Sequence, residues 1–189
     1  MLSHAIVLPA YFLLTNLLLE RLEISAPARI INVASDAHRM ARIGFDNLGG
    51  SRRYAAMRNY AQSKLANILF TYELARRLEG SGVTANCAHP GAVATGLAQN
   101  NGAWVRALTK LLGLFFRTPE QGAATSIYLA SSPEVEGVSG KYFIDCKETR
   151  SSADSYSEAD AQRLWEISTR MTGLADQTGR AASGARAPR

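Results

Sequence analysis

The sequence predicts an α/β fold, an open and doubly wound parallel sheet covered by helices on both faces, and two observations carry that prediction. Three short, almost unbroken apolar runs, RIINVAS at 29–35, VTANCAH at 83–89 and GKYFID at 140–145, have the makeup of strands buried on both sides. Stretches long enough to form helices separate them, so each connection is a right-handed crossover and neighbouring strands run parallel.

Taken in order, residues 5–19 (AIVLPAYFLLTNLLL) predict a buried helix that starts near Pro9. The stretch is too short to span a bilayer, and no Lys or Arg precedes it as in a signal peptide. The first strand follows. Residues 54–79 then carry Ala61, Leu65, Ile68, Leu69, Tyr72, Ala75 and Leu78 at the 3.6-residue period of a core-facing helix, which Gly80 ends. After the second strand, Thr118, Pro119 and Gln121 mark a helix start, with Thr as cap, Pro in the first turn and Gln closing a capping box. A last helix opens at Ser157 and runs through Leu164, Trp165, Ile167 and Met171 to Gly173.

The chain has 189 residues, 47% of them hydrophobic and 20% charged, which suits one globular domain and excludes collagen-like, wholly disordered and disulfide-scaffold classes. Two cysteines fit a reducing, cytoplasmic setting. The net charge of +5 is concentrated in two places. Arg39, Arg42, Arg52, Arg53 and Arg58 face only Asp46 across one loop, and residues 177–189 hold three arginines and no acid. Without interleaved aromatic residues or zinc-finger spacing, this is a basic loop and a disordered basic tail, and no nucleic-acid partner is expected.

In an open α/β sheet the ligand lies outside the carboxyl ends of the strands. Ser35 ends the first strand, His89-Pro90-Gly91 ends the second, and Tyr60 and Lys64 open the long helix between them. Their spacing of four puts a phenol and an ammonium on one helical face. A free phenol titrates near 10, and a neighbouring cation favours the phenolate, so such a pair makes a usable acid and base. Two other chemistries find less support. Ser35, His38 and His89 name the parts of a serine hydrolase, but no Gly-x-Ser-x-Gly elbow occurs. Cys87 and His89 share a strand face, but no cluster of metal ligands forms around them.

The ordered set Asn32-Val33-Ala34-Ser35, Asn59-Tyr60-Ala61-Gln62-Ser63-Lys64 and His89-Pro90-Gly91-Ala92-Val93-Ala94-Thr95 resembles the C-terminal part of the short-chain dehydrogenase/reductase family. Gly82-Val83-Thr84 and Val138-Ser139-Gly140-Lys141-Tyr142-Phe143 are similar to its retinol dehydrogenase-like branch, and the likeness covers about residues 10–174. The resemblance implies a Rossmann-like sheet and NAD(P)-dependent interconversion of a lipophilic alcohol with its aldehyde or ketone. In that scheme Tyr60 is the acid and base, Lys64 assists it and bonds the nicotinamide ribose, and Ser35 holds the substrate oxygen. Pro90, Gly91, Val93 and Thr95 would line the nicotinamide, and NADP(H) is favoured over NAD(H). Residues 97–116, rich in leucine and aromatic side chains, correspond to the stretch that closes over substrate.

The family's Thr-Gly-x-x-x-Gly-x-Gly turn, which carries the pyrophosphate, is absent from these 189 residues. Gly80-Ser81-Gly82 lies between a helix and a strand, the reverse of the required context. Val7 and Ala10 stand where the family has its catalytic Asn and a Gly. The expectation is therefore a C-terminal part of one such domain at 1–176, followed by the tail, with three strands and little affinity for either cofactor. An exposed sheet edge would favour homo-oligomers or aggregation, and an inactive homologue acting by subunit binding is the alternative.

Overall fold

A computed structural model of the chain describes residues 7–48, 56–91 and 117–174. Helix α1 (Val7–Ile24) leads into strand β1 (Ala28–Val33), helix α2 (Ala56–Arg77) and strand β2 (Val83–His89). Helix α3 (Pro119–Ser131), strands β3 (Tyr142–Ile144) and β4 (Lys147–Glu148) and helix α4 (Glu158–Thr172) complete it. The sheet order is β1-β2-β3-β4. The first two pairings are parallel, with Val33 opposite Ala88 and Cys87 opposite Tyr142, as the crossover rule requires.

The alternation of β2 shows why its sequence reads as apolar throughout. Ala85 and Cys87 pack toward α2, beside Leu65, Leu69, Ile68 and Tyr142, while Ala88 packs on the other face with Leu129 of α3, Val135 and Phe143. At the centre of the α1, α2 and α4 layer, Trp165 stacks on Phe70 at 5.7 Å and meets Phe12 edge-on at 4.9 Å. On the opposite face, Arg29 donates to the carbonyls of Leu129 and Ser132, so a β1 guanidinium caps the C-terminus of α3. Thr118 and Gln121 form the expected reciprocal capping box at the other end of that helix.

Four features differ from the sequence reading. Helix α1 begins at Val7, and Pro9 sits in its first turn, where a missing N–H costs no hydrogen bond. Only one side of α1 is buried, through Phe12, Thr15, Asn16 and Leu19, whereas Leu14 and Leu17 are each 62% exposed. Strand β1 stops at Val33, because Ser35 turns to cap the 3₁₀ turn Asp36–Met40. A fourth strand, β4, runs antiparallel to β3 across a two-residue loop with Asp145 at φ 52° and Cys146 at φ 60°. No Asn-Gly or Asp-Gly announces that turn, which is why the sequence yields three strands. Among the described residues, no helix is long and apolar enough to cross a membrane.

Candidate active site

The carboxyl ends of β1 and β2 lie side by side, joined where the Ala34 amide donates to the Ala88 carbonyl at 2.9 Å. Ser35 follows immediately on β1. Its hydroxyl oxygen accepts the Ala37 amide at 3.3 Å as an N-cap, which orients the oxygen and leaves its own proton to be donated.

Helix α2 reaches the same strand end with two side chains less than one turn apart. Lys64 Nζ donates to the Val33 carbonyl at 3.3 Å and Asn67 Nδ2 to the same oxygen at 3.2 Å. Lys64 Nζ also lies 5.6 Å from the centre of the Tyr60 ring, so the spacing of four does bring the phenol and ammonium together. Burial holds the Lys64 ammonium below the usual lysine range. Tyr60 is half-buried on the N-terminal part of α2, and its carbonyl accepts the Ser63 hydroxyl at 2.7 Å.

Past the end of β2, Pro90 and Gly91 leave the strand, with Gly91 at φ 78°. Two features favour glycine there. The backbone is left-handed, and a Cβ would lie 2.6 Å from Nε of Arg117. Arg117 in turn forms a bidentate pair with Asp145 of the β3–β4 loop, one arm of which, from Nη2 to Oδ2, measures 2.9 Å. That pairing holds the Asp145 carboxyl below the ordinary carboxylate range. Sequence reading missed both residues. The only signal was a lone arginine directly before the Thr118 cap, and nothing local ties it to Asp145. Val93, Thr95 and the apolar stretch 97–116 lie outside the described residues.

The arrangement does not support a Ser-His nucleophile. His38 Nδ1 bonds the Ser35 carbonyl at 2.7 Å instead of the hydroxyl, and Nε2 accepts the Ser152 amide at 3.0 Å. Among the described residues no group of three or more His, Cys, Asp or Glu could hold a metal ion. Buried Cys87 has its thiol pushed up to about 12 by desolvation, which makes it unreactive.

Donors fit one end of a nicotinamide dinucleotide better than the other. At the strand ends the hydroxyls of Ser35 and Tyr60 and the Lys64 ammonium are donors that could bond a nicotinamide ribose, and the buried His89 Nδ1 has no partner among the described residues. No glycine-rich phosphate turn occurs in the sequence.

The short chain dehydrogenase family matches residues 3–106, beginning ahead of the likeness read from the sequence, which starts at about residue 10. The chain is 53% identical to human retinol dehydrogenase 14 over 167 residues, which is 87% of this chain and 50% of that protein. It is 49% identical to human retinol dehydrogenase 11 (87% and 51%) and 45% identical to retinol dehydrogenase 13 of Mus musculus (95% and 55%). The chain thus spans about half the length of these curated relatives. Among solved structures, an uncharacterized protein from Mycobacterium paratuberculosis superposes with a TM-score of 0.65 at 31% identity, covering 88% of this chain and 56% of that one. The mostly parallel sheet with its covering helices agrees with these likenesses, and the chain belongs to the short chain dehydrogenase family.

Proposed function

We propose that residues 1–176 supply the reacting part of an NADP(H)-dependent oxidoreductase that interconverts a lipophilic alcohol and its aldehyde or ketone. The observation that carries the reading is the convergence of Lys64 on the carbonyl of Val33, two residues before Ser35 and one helical turn from Tyr60. The cofactor, when bound, supplies or accepts the hydride. Ser35 donates its hydroxyl proton to the substrate oxygen and holds it beside Tyr60. In reduction the Tyr60 hydroxyl gives its proton to that oxygen; in oxidation the phenolate takes it back. Lys64, beside the Tyr60 ring, would bond the ribose, and by family resemblance Pro90, Gly91, Val93 and Thr95 would line the nicotinamide.

Support for a lipophilic substrate comes from the retinol dehydrogenase names of the relatives and from the apolar composition of 97–116. The choice of NADP(H) rests on that likeness alone. The test is reduction of a long-chain aldehyde with NADPH by purified protein, together with a fluorescence titration of NADPH. Turnover that Tyr60→Phe abolishes supports the reading, and turnover indifferent to that change overturns the role of Tyr60.

A second reading is favoured by a separate observation. Leu14 and Leu17, each 62% exposed, and Leu18, 47% exposed, share one face of α1, and the sequence holds no phosphate turn. An inactive homologue that associates through this face, as a homo-oligomer or with related subunits, would show no NADPH binding and a concentration-dependent size on gel filtration.

A further inference from the structure

Outside the proposed reacting groups, a buried polar cluster surrounds His38. The imidazole is fully buried, lies edge-on to the Tyr142 ring at 5.1 Å, and uses both nitrogens. Nε2 receives the Ser152 amide, a group that can only donate, so Nε2 carries a lone pair and the ring proton is on Nδ1, donated to the Ser35 carbonyl.

The hydroxyls beyond Ser152 have a direction too. Ser155 donates to the Ser152 carbonyl at 2.6 Å, so Ser151 must donate to Ser155, at 2.6 Å, and Tyr72 to Ser151, at 2.8 Å. A one-way chain of donors therefore runs from Tyr72 on α2, through segment 151–155 and His38, to the backbone of Ser35.

We propose that His38 is the positioning residue for Ser35: as a neutral ring it ties the Ser35 carbonyl to the Ser152 amide, and a second ring proton unfastens the two segments. The importance of Ser35 rests on the oxidoreductase reading above, whereas the tie itself does not. A proton on Nε2 would face the Ser152 N–H, and two donors cannot bond, so that arm must open. The surrounding charges offer the imidazolium little compensation. Asp36 is held by Arg39 at 2.9 Å, and Arg39 also donates to the Arg150 carbonyl at 2.7 Å. His89 on β2 is basic, while Tyr142 on β3 and Tyr72 on α2 have hydroxyls that burial keeps protonated.

The test is nuclear magnetic resonance on the full chain. Ring ¹⁵N shifts at pH 7 should show neutral His38 with its proton on Nδ1; an Nε2-protonated or charged ring would overturn the proposal. On acidification the Ser152 amide should lose protection in step with His38 titration while amides of β2 do not, and concerted loss everywhere would refute a local tie. Two variants separate the arms. His38→Asn keeps a donor near the Nδ1 position and should speed Ser152 exchange about tenfold, whereas His38→Gln keeps an acceptor near Nε2 and should leave that exchange near wild type and free of the acid step. Equal exchange in both variants would overturn the assignment. None of these readouts needs turnover, so an inactive protein that shows them counts against the oxidoreductase reading alone, and an active protein that lacks them counts against His38 alone.

Discussion

Lys64 donates to the carbonyl of Val33 at 3.3 Å, and through that contact the N-terminal half of α2 is fixed against the strand end that presents Ser35. Asn67 donates to the same oxygen at 3.2 Å, so the carbonyl keeps a partner when the ammonium is removed. Structure and chemistry can therefore be separated. Lys64→Met should leave the melting temperature within a few degrees of wild type while lowering aldehyde reduction about 100-fold or more. Tyr60→Phe should abolish turnover with an equally small effect on melting. Loss of folding in step with loss of rate would show that Lys64 only braces α2. Steady-state rates with NADPH and thermal melts on the same preparations decide between them.

Gly91 and Arg117 offer a double-mutant cycle with a predictable sign. Gly91→Ala meets two penalties: a left-handed backbone at φ 78°, and a Cβ placed 2.6 Å from the Arg117 guanidine nitrogen. The backbone term alone costs about 1 to 2 kcal/mol. Arg117→Ala on its own removes an exposed ion pair with Asp145 and should cost about 1 kcal/mol or less. The double variant should be more stable than the sum of the single effects, because the collision disappears while the backbone strain stays. Denaturant midpoints of the four proteins give the coupling, and strict additivity would mean that Arg117 simply swings away from the new methyl group.

Two histidines make the fold sensitive to acid. Burial depresses His38 and His89 below the ordinary value of 6.5, with neighbouring Arg39 and Arg117 acting in the same direction and Asp36 opposing. The unfolded chain therefore takes up protons first as pH falls below 6.5, and stability drains away from that point until each folded-state value is reached. Stability should be level with respect to these groups above pH 7 and fall as the pH drops below 6.5. Replacing His38 with Gln should remove part of that slope. A stability curve as steep in the variant as in the wild type would assign the effect elsewhere.

Much of the sheet was legible because the strands are buried on two sides and the helices on one. Alternation inside β2, with Cys87 toward α2 and Ala88 toward α3, collapses in sequence to an apolar run. The capping box at Thr118 was equally legible, since its partners are three residues apart. Contacts across long sequence separation were not. His38 meets Ser152, and Arg117 meets Asp145, only after the sheet has formed, and neither pair has a local pattern. The exposed leucines of α1 misled for a different reason. Up to Leu19 its only polar residues, Thr15 and Asn16, are themselves buried, so no polar stripe marks the side that faces outward, and the buried face was over-read.

The β3–β4 loop exposes a residue that its turn does not favour. A two-residue hairpin connection matches the twist of its strands when both loop residues are left-handed, and here these are Asp145 at φ 52° and Cys146 at φ 60°. Asp tolerates that conformation, and this one is held by Arg117. Cys146 has no such excuse in its side chain; its amide, which donates to Thr125 Oγ1 at 3.3 Å, is what the turn keeps in place. Glycine would adopt the same backbone without a Cβ penalty and would retain that amide. Its gain is reduced by the greater freedom glycine has in the unfolded chain. Cys146→Gly should accordingly stabilise the protein by about 0.5 to 1 kcal/mol, and Cys146→Val, branched at Cβ in a left-handed position, should destabilise it by at least as much. Urea midpoints at constant slope check both signs. If glycine destabilises, the Cys146 side chain contributes packing that outweighs its backbone strain.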